Sequence, residues 1–425
     1  MLKAFEKLFA MAMLAYGCGA FALLLIGPVS DVDKLAPEMH TSGLVAQIGF
    51  HVVAAILYTL HAKKLTLAIA RTPWWTFLAL FALCSTAWSQ DPSLTFRRGL
   101  ILIGTVLFGL YFGSRFELKE QIDILAGTLL VVLMASAALA IAVPHLGVES
   151  GSGHLGNWRG ILSQKNGLAR VAVLAILVFV FWRPSYRPLR YFAIGFAIVV
   201  LAMTRSATGI VVLIALLTVK PLFRLVRTQA KLLVPIAMLV LTAGAASIIV
   251  LVTNPDIALT LLGRNSTLTG RTKLWHECLV SIMKRPLLGY GFDAFWHGMV
   301  GESARVILAS HWLVPAAHNG ALQLWLDLGG IGLGLFLVAY AVYARKSLRF
   351  YLTHEGHLRA WPLAYLAFIF FYNFTEVTEL EQNNIFTMLM ASLAVNVTLY
   401  TSETETDEDE YTPTCDYETE PVYLS

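Results

Sequence analysis

The stretch HNGALQLWLDLGGIGLGLFLVAYAVY, residues 318–343, decides how the rest of the chain folds. Its apolar part is long enough for a helix to cross a bilayer core, which takes about 20 residues. Yet it opens on His318 and Asn319, and Gln323 and Asp327 follow Asn319 at four-residue steps. Residues at this spacing share one helix face. Such a polar stripe faces protein or a water-filled cavity, and hydrogen bonding between helices is the alternative interpretation.

Composition extends this interpretation to the whole chain, because 57% of the 425 residues are hydrophobic and only 14% are charged. Soluble proteins carry roughly 25% charged residues. The sequence therefore predicts an all-α polytopic membrane protein with about 12 transmembrane helices, in a membrane domain over residues 1–400. The apolar windows are 7–27, 43–62, 74–88, 98–113, 121–143, 167–182, 189–203, 207–219, 231–253, 319–343, 360–373 and 385–400.

Lys and Arg concentrate in alternate short loops, and such loops remain on the cytoplasmic side of a membrane. This pattern predicts that both termini are cytoplasmic and that the first apolar helix is an uncleaved span. Residues 254–317 then form a large loop on the outer face, directly before the tenth helix.

The tail, residues 401–425, is acidic and contains no Lys or Arg. A block of like charges repels itself and stays solvated. The tail is therefore expected to be disordered in the cytoplasm, with docking of a cytoplasmic partner as the alternative.

The large outer loop is rich in cations: Arg264, Arg271, Lys273, Lys284, Arg285 and Arg305. Apolar residues at helical spacing after Thr269, ending at Lys284-Arg285-Pro286, predict an amphipathic helix in this loop. Its first turn has free N–H groups beside Arg271, a suitable cradle for phosphate. A surface helix with snorkelling cations is the alternative.

Other polar residues fall on the same face. His318, at the aqueous edge near arginines, is a candidate general base. Arg205 lies in a very short outer turn, where a cation is costly unless paired, and a diphosphate would be a suitable partner. Candidate contacts for the substrate come from both loops and helix ends: Arg159, Lys165, Arg264, Asn319 and Glu376. For the carboxylates of Glu376 and Glu379, ion pairs with the arginines are the alternative interpretation.

Metal and cofactor chemistry find little support. Asp31-Val32-Asp33 could hold a divalent metal, but a solvated turn is the better interpretation of two acids alone. Metalloprotease, ATPase and serine-hydrolase motifs are absent from the sequence. We therefore expect neither a metal nor a cofactor, and no nucleic-acid partner.

Several motifs, in order and spacing, resemble the bacterial O-antigen ligase and exopolysaccharide polymerase superfamily over roughly residues 95–400. The motifs are Arg159-Gly160-Ile161 with Lys165-Asn166, Thr204-Arg205-Ser206, Gly270-Arg271 with Trp275, Pro286-Leu287-Leu288-Gly289-Tyr290-Gly291, His318-Asn319, and Asn373-Phe374-Thr375-Glu376. The first and the last of these motifs are more similar to the exopolysaccharide-polymerase branch of the superfamily.

The resemblance implies a fold related to the membrane-embedded glycosyltransferases, in a multi-pass protein of the bacterial inner membrane with a periplasmic active face. The implied donor is a glycan on undecaprenyl diphosphate, and the acceptor a lipid-linked repeat unit or lipid A core. A polysaccharide assembly complex is a further candidate partner. By position, Arg205, Arg271 and His318 correspond to the functional residues of the ligases, and Arg264 competes with Arg271. The alternative function is a transporter or flippase for the lipid-linked oligosaccharide.

Overall fold

The computed structural model describes residues 1–21, 41–149, 156–228, 267–311 and 313–410. Within these ranges the chain is helical, and β-structure is limited to an isolated bridge between Val148 and Trp158. The α-helices are α1 (Leu2–Gly17), α2 (Thr41–Leu60), α3 (Ala62–Arg71), α4 (Pro73–Cys84), α5 (Pro92–Arg115), α6 (Leu118–Ala142), α7 (Pro144–Gly147), α8 (Lys165–Phe181), α9 (Arg187–Thr204), α10 (Ala207–Thr228), α11 (Thr267–Lys284), α12 (Gly301–Ser310), α13 (Gly320–Thr353), α14 (Trp361–Asn373) and α15 (Ile385–Glu410).

Four helices of the described part of the chain, α5, α6, α9 and α13, are long and apolar enough to cross a membrane. A fifth span results if Gln47–Leu60 of α2 and the whole of α3, which meet at 93°, count as one. Every apolar window overlaps a described helix except 231–253, which lies outside the described residues. The all-helical fold with several helices able to span a membrane is therefore confirmed, while the count of twelve spans and the placement of the loop 254–317 on the outer face stay predictions.

Large apolar side chains are exposed along these helices, as contact with lipid requires. A soluble monomer rarely exposes so much contiguous apolar surface. A multi-pass membrane protein accounts for these positions, which include Val131, Met134 and Ile141 on α6, and Val199 on α9.

Close contact between α5 and α15 shows how the membrane helices pack. A side chain at Gly109 would lie 2.3 Å from the carbonyl oxygen of Met388, and one at Gly113 would lie 2.8 Å from that of Ser392. Small residues four apart let two helix backbones approach closely within a membrane. The close packing of α5 against α15 therefore requires glycine at positions 109 and 113.

Helix α15 continues to Glu410, so residues 401–410 of the predicted disordered tail extend this helix. Residues 411–425 lie outside the described part of the chain.

Helix α13 is broken at Gly329, which has φ 69° and ψ −175°. Two ladders of backbone hydrogen bonds connect the break to residues 286–291 of the outer loop. Such a break is stable at membrane depth because protein satisfies the freed backbone groups. In one ladder the N–H groups of Tyr290 and Gly291 donate to Leu326 O (2.8 Å) and Asp327 O (3.0 Å). In the other, the N–H groups of Gly330 and Ile331 donate to Pro286 O (2.7 Å) and Leu287 O (3.2 Å).

Two glycines make this fit feasible. A side chain at Gly329 would lie 2.1 Å from Leu287 O, and one at Gly289, where φ is 68°, would lie 2.6 Å from the Gly329 nitrogen. Tyr290, whose N–H belongs to one of the ladders, is 3% exposed and donates its hydroxyl hydrogen to Ser281 O at 2.8 Å. The span predicted over 319–343 thus corresponds to α13, and the part before the break, residues 320–328, is held by the loop.

We predict that Gly329→Ala lowers the free energy of unfolding by about 2 kcal/mol or more, because the alanine meets both a forbidden φ and Leu287 O. Thermal unfolding of the detergent-purified protein measures the effect. Gly334→Ala is the matched control, since nothing lies within 4 Å of the added Cβ and alanine favours a helix interior by about 1 kcal/mol. Equal melting temperatures for the two variants would contradict the proposed fit.

Candidate functional site

The buried carboxylate of Glu376 brings together three parts of the chain. It lies between α14 and α15 and is 6% exposed. Its Oε2 is 3.1 Å from His318 Nδ1, and its Oε1 is 3.2 Å from a terminal nitrogen of Arg271. Oε1 also accepts a hydrogen bond from Asn166 Nδ2 at 3.0 Å. The start of α13, the first part of α11 and the first turn of α8 therefore meet at one acid.

A further hydrogen bond extends this cluster towards Arg205. The Ser206 hydroxyl donates to Asn166 Oδ1 at 3.2 Å, and Arg205 directly precedes Ser206. Arg205 is the C-cap of α9 and has φ 49°. The turn that carries Arg205 is thereby connected to Glu376 through Asn166, although the Arg205 side chain itself is exposed. Of the three predicted catalytic residues, the structure brings His318 and Arg271 into direct contact with Glu376.

His318 has the same unusual backbone conformation as Arg205, with φ 49°. Non-glycine residues in this region store of the order of 1–3 kcal/mol of strain, and such strain is concentrated at functional sites. The conformation lets the chain turn sharply into α13 and aims the imidazole at Glu376. A carboxylate at Nδ1 favours the tautomer with its proton there, and Nε2 then carries the lone pair that a general base needs.

The charges around Glu376 keep it ionised. Burial raises the pKa of its carboxyl, but the hydrogen bond from His318 and the positive charges of Arg170 and Arg271 outweigh burial and bring the pKa below its usual 4.5. Arg170 also donates to the carbonyl oxygen of Val377, which fixes the chain directly after Glu376. An ionised Glu376 can stabilise positive charge on His318.

The amphipathic helix predicted in the outer loop is confirmed as α11, with Leu274, Cys278 and Ile282 buried and Leu279 exposed. Arg271 lies near its start and reaches Glu376. Other loop cations have different partners: a terminal nitrogen of Arg305 is 2.5 Å from Glu277 Oε2, and Lys284 Nζ is 2.5 Å from Glu302 Oε1. These pairs join α11 to α12, so they stabilise the loop.

The remaining candidates occupy different positions. Arg159 Nε donates to Leu146 O at 2.8 Å, and Asn319 is the N-cap of α13, accepting from the N–H of Leu322 at 3.1 Å. Lys165 begins α8, one residue before Asn166. Their contacts with a substrate stay predictions. Three residues weighed from the sequence lie outside the described part of the chain: Arg264, Asp31 and Asp33.

Sequence reasoning did not assign a role to Asn166 or Arg170. Asn166 belongs to the Lys165-Asn166 motif, and Arg170 lies outside the motifs of the resemblance. The two are four residues apart on α8, which is otherwise apolar after its first turns. Polar residues at this spacing on a membrane helix indicate a polar interior face, so this signal was available.

Comparison with known proteins supports the family resemblance. Residues 191–337 match the family model described as O-antigen ligase, and this range includes Arg205, Arg271 and His318. The chain is 25% identical over 344 residues to exopolysaccharide production protein ExoQ of Rhizobium meliloti, covering 76% of this chain and 77% of that protein. A candidate polysaccharide ligase of Rickettsia prowazekii is 35% identical over 79 residues, 18% of this chain and 20% of its own.

The predicted resemblance to the ligase and polymerase superfamily is thus confirmed. The matches support an enzyme of the ligase or polymerase type with a role in polysaccharide biosynthesis.

We predict that Glu376→Gln destabilises the protein by about 3 kcal/mol at pH 7, because Arg271 and His318 lose a buried anionic partner. The pKa of Glu376 is lowered on folding, so its contribution is complete above pH 4.5. It disappears as the pH falls through the lower, folded-state pKa. Melting temperatures of both proteins from pH 7 to pH 3 should therefore converge only below about pH 4.5.

Glu355→Gln is the control for this measurement, because the Glu355 side chain is 85% exposed. Its melting curve should follow the wild type at every pH. A gap for Glu376→Gln that stays constant down to pH 3 would rule out an ionised Glu376 as the source of the stabilisation.

Proposed function

We propose that this protein is an inner-membrane glycosyltransferase with its active face in the periplasm. It transfers or polymerises glycan from an undecaprenyl-diphosphate-linked donor onto a sugar hydroxyl of an acceptor, in O-antigen, lipopolysaccharide or exopolysaccharide biosynthesis. The observation that carries this proposal is the contact of His318 Nδ1 with Glu376, with Arg271 on the same carboxylate. The similarity to O-antigen ligases and to ExoQ supports the reaction class.

His318 acts as the general base in this reaction. Its Nε2 takes the proton of the acceptor hydroxyl while the hydroxyl oxygen forms a bond to the anomeric carbon of the donor. Glu376 holds the imidazole in the required tautomer and stabilises the imidazolium that results, as the acid does in other histidine–carboxylate pairs. Proton transfer of this kind typically contributes 10²–10⁴-fold to a rate.

The arginines act at the leaving group. As the bond between the anomeric carbon and the diphosphate oxygen breaks, negative charge grows on the diphosphate, and fixed cations stabilise it. A guanidinium has five N–H donors in a planar fork, so Arg271 can contact Glu376 and a phosphate together. Arg205 supplies a second cation from the α9–α10 turn. Attack opposite the leaving group inverts the anomeric centre, and the arginines provide the charge stabilisation without a metal.

The histidine–carboxylate pair favours an enzyme over the alternative of a lipid-linked oligosaccharide flippase. A flippase needs a cationic path through the membrane and has no use for a base oriented by an acid. The cations that we assign to the substrate lie at helix ends and in the outer loop.

We predict that His318→Ala lowers glycan transfer at least about 100-fold, because no group remains to accept the hydroxyl proton. The rate is measured with purified protein and a lipid-diphosphate donor, without an ion gradient. His276→Ala is the matched control, because His276 is exposed on α11, the helix that carries Arg271. Wild-type rates in a folded His318→Ala protein would remove His318 from the mechanism.

Deletion of the gene distinguishes the two forms of the reaction. Loss of a polymerase leaves single repeat units on the surface glycan gel, whereas loss of a ligase leaves full-length chains on the lipid carrier. The motifs of the exopolysaccharide-polymerase branch lead us to expect single repeat units. Unchanged surface glycan in the deletion strain would contradict both forms.

A further inference from the structure

A cavity of about 290 Å³ lies beside the His318–Glu376 site. Ala316, Gly320 and Val377 form part of its wall, so it begins within two residues of both His318 and Glu376. Its volume is at the lower end of the roughly 300–1,000 Å³ that ligand pockets occupy. Its polar wall consists of acids and amides: Asp293, Gln323, Asp327, Glu379, Glu381 and Gln382.

Two of these acids have an oxygen atom that protein does not satisfy. Asp327 and Glu379 are each 5% exposed. Asp327 Oδ2 accepts from Gln323 Nε2 at 2.9 Å. Among the described residues, Asp327 Oδ1 and Glu379 Oε2 have no hydrogen-bond partner. A buried polar atom without a partner destabilises the folded protein, so two such atoms in one cavity wall indicate a polar ligand.

The backbone fixes where Glu379 lies. A side chain at Gly320 would be 2.0 Å from Glu379 Oε1, so the carboxyl group rests against the first residue of α13. The acid therefore lies against the same helix start that the candidate base, His318, precedes.

The hydrogen-bonding groups of the cavity wall indicate which kind of ligand fits it. Its acids and amide oxygens are hydrogen-bond acceptors, which favours a ligand rich in hydroxyl donors over a phosphate. Burial raises the pKa of Glu379 to about 8 and that of Glu381 to about 7. Near neutral pH these groups thus also occur as donors, and a sugar hydroxyl both donates and accepts. Phe292 and Leu324 add apolar surface for the faces of a sugar ring.

A bound cation is the competing explanation for the acids, and the geometry disfavours it. A terminal nitrogen of Arg98 already lies 3.3 Å from Asp293 Oδ1. Within the described ranges, the His, Cys, Asp and Glu side chains form no group of three that could hold a metal ion. The acids are spread around the cavity wall instead of converging on one point.

We propose that this cavity binds a sugar residue of the acceptor glycan, through hydrogen bonds from its hydroxyl groups to Asp327 and Glu379, and so presents the attacking hydroxyl to His318. The proposal rests on the glycosyltransferase function proposed above. It assigns the acceptor to the acidic side of His318 and the donor diphosphate to the arginine side.

The test uses Asp327→Asn and Glu379→Gln in the full-length purified protein. Each change replaces an acceptor oxygen by an N–H donor with little change in shape. Since a buried sugar hydroxyl loses its hydrogen-bond partner in either variant, the KM for the acceptor should rise at least about tenfold. The KM for the lipid-diphosphate donor should stay within about twofold. Glu355→Gln, at the far end of α13, is the control and should change neither value.

A second measurement tests binding of the acceptor sugar alone, without the donor and without turnover. The probe is the repeat-unit oligosaccharide released from its lipid by mild acid, which has no diphosphate. Calorimetry should show that it binds the wild type and that either substitution weakens its binding at least about tenfold. In the unsubstituted protein, the oligosaccharide should also slow carbodiimide modification of Glu379, as mapped by mass spectrometry. This readout does not depend on a variant that folds.

Three results would overturn the proposal. One is unchanged oligosaccharide binding in both folded variants, together with unprotected Glu379. Another is a rise in the KM for the donor instead of the acceptor. The third is loss of wild-type activity in a chelator with recovery on adding a divalent cation, which would make the cavity a metal site. A fully active His318→Ala protein would refute the proposed mechanism separately, because oligosaccharide binding is measured without turnover.

Discussion

The arrangement of the site depends on one buried anion, the carboxylate of Glu376. Removing a charge from water costs several kcal/mol unless partners replace the lost hydration. Here His318, Arg271 and Asn166 are those partners, and each comes from a different helix or helix boundary. The need to compensate this charge therefore determines where the outer loop, α8 and the start of α13 can lie. The electrostatic constraint that stabilises the fold is also the one that orients the candidate base.

The site has two chemically different sides, which meet at His318. Arg271 and the turn carrying Arg205 place positive charge on one side. Asp327 and Glu379 place acceptor oxygens in a cavity on the other. In the mechanism that we propose, this arrangement separates the binding of an anionic donor from that of a hydroxyl acceptor. The sharp backbone turn at His318 places its imidazole against Glu376, directly before the start of α13.

Local sequence patterns predicted the helices and most of the site residues, since hydrophobic periodicity and motifs are short-range signals. The amphipathic helix α11 and the role of polar residues around His318 follow from such patterns. The partnerships at Glu376 could not be predicted in this way. They join residues 58, 105 and 210 positions apart, and no local rule specifies which cation meets which acid. For this reason the sequence did not show that Arg305 pairs with Glu277 within the loop, whereas Arg271 pairs with Glu376.

The break in α13 has a consequence for how this protein can change. Gly289 and Gly329 each leave room for the backbone of the other's segment, so the two positions share one gap. Substitutions at neighbouring sites of this kind have non-additive effects. Once a larger residue at either position has separated the two segments, a larger residue at the other position lowers the free energy of unfolding by less than it would alone. Which residues the loop accepts at position 289 therefore depends on the residue at position 329 of α13, and the two positions are expected to change together in evolution.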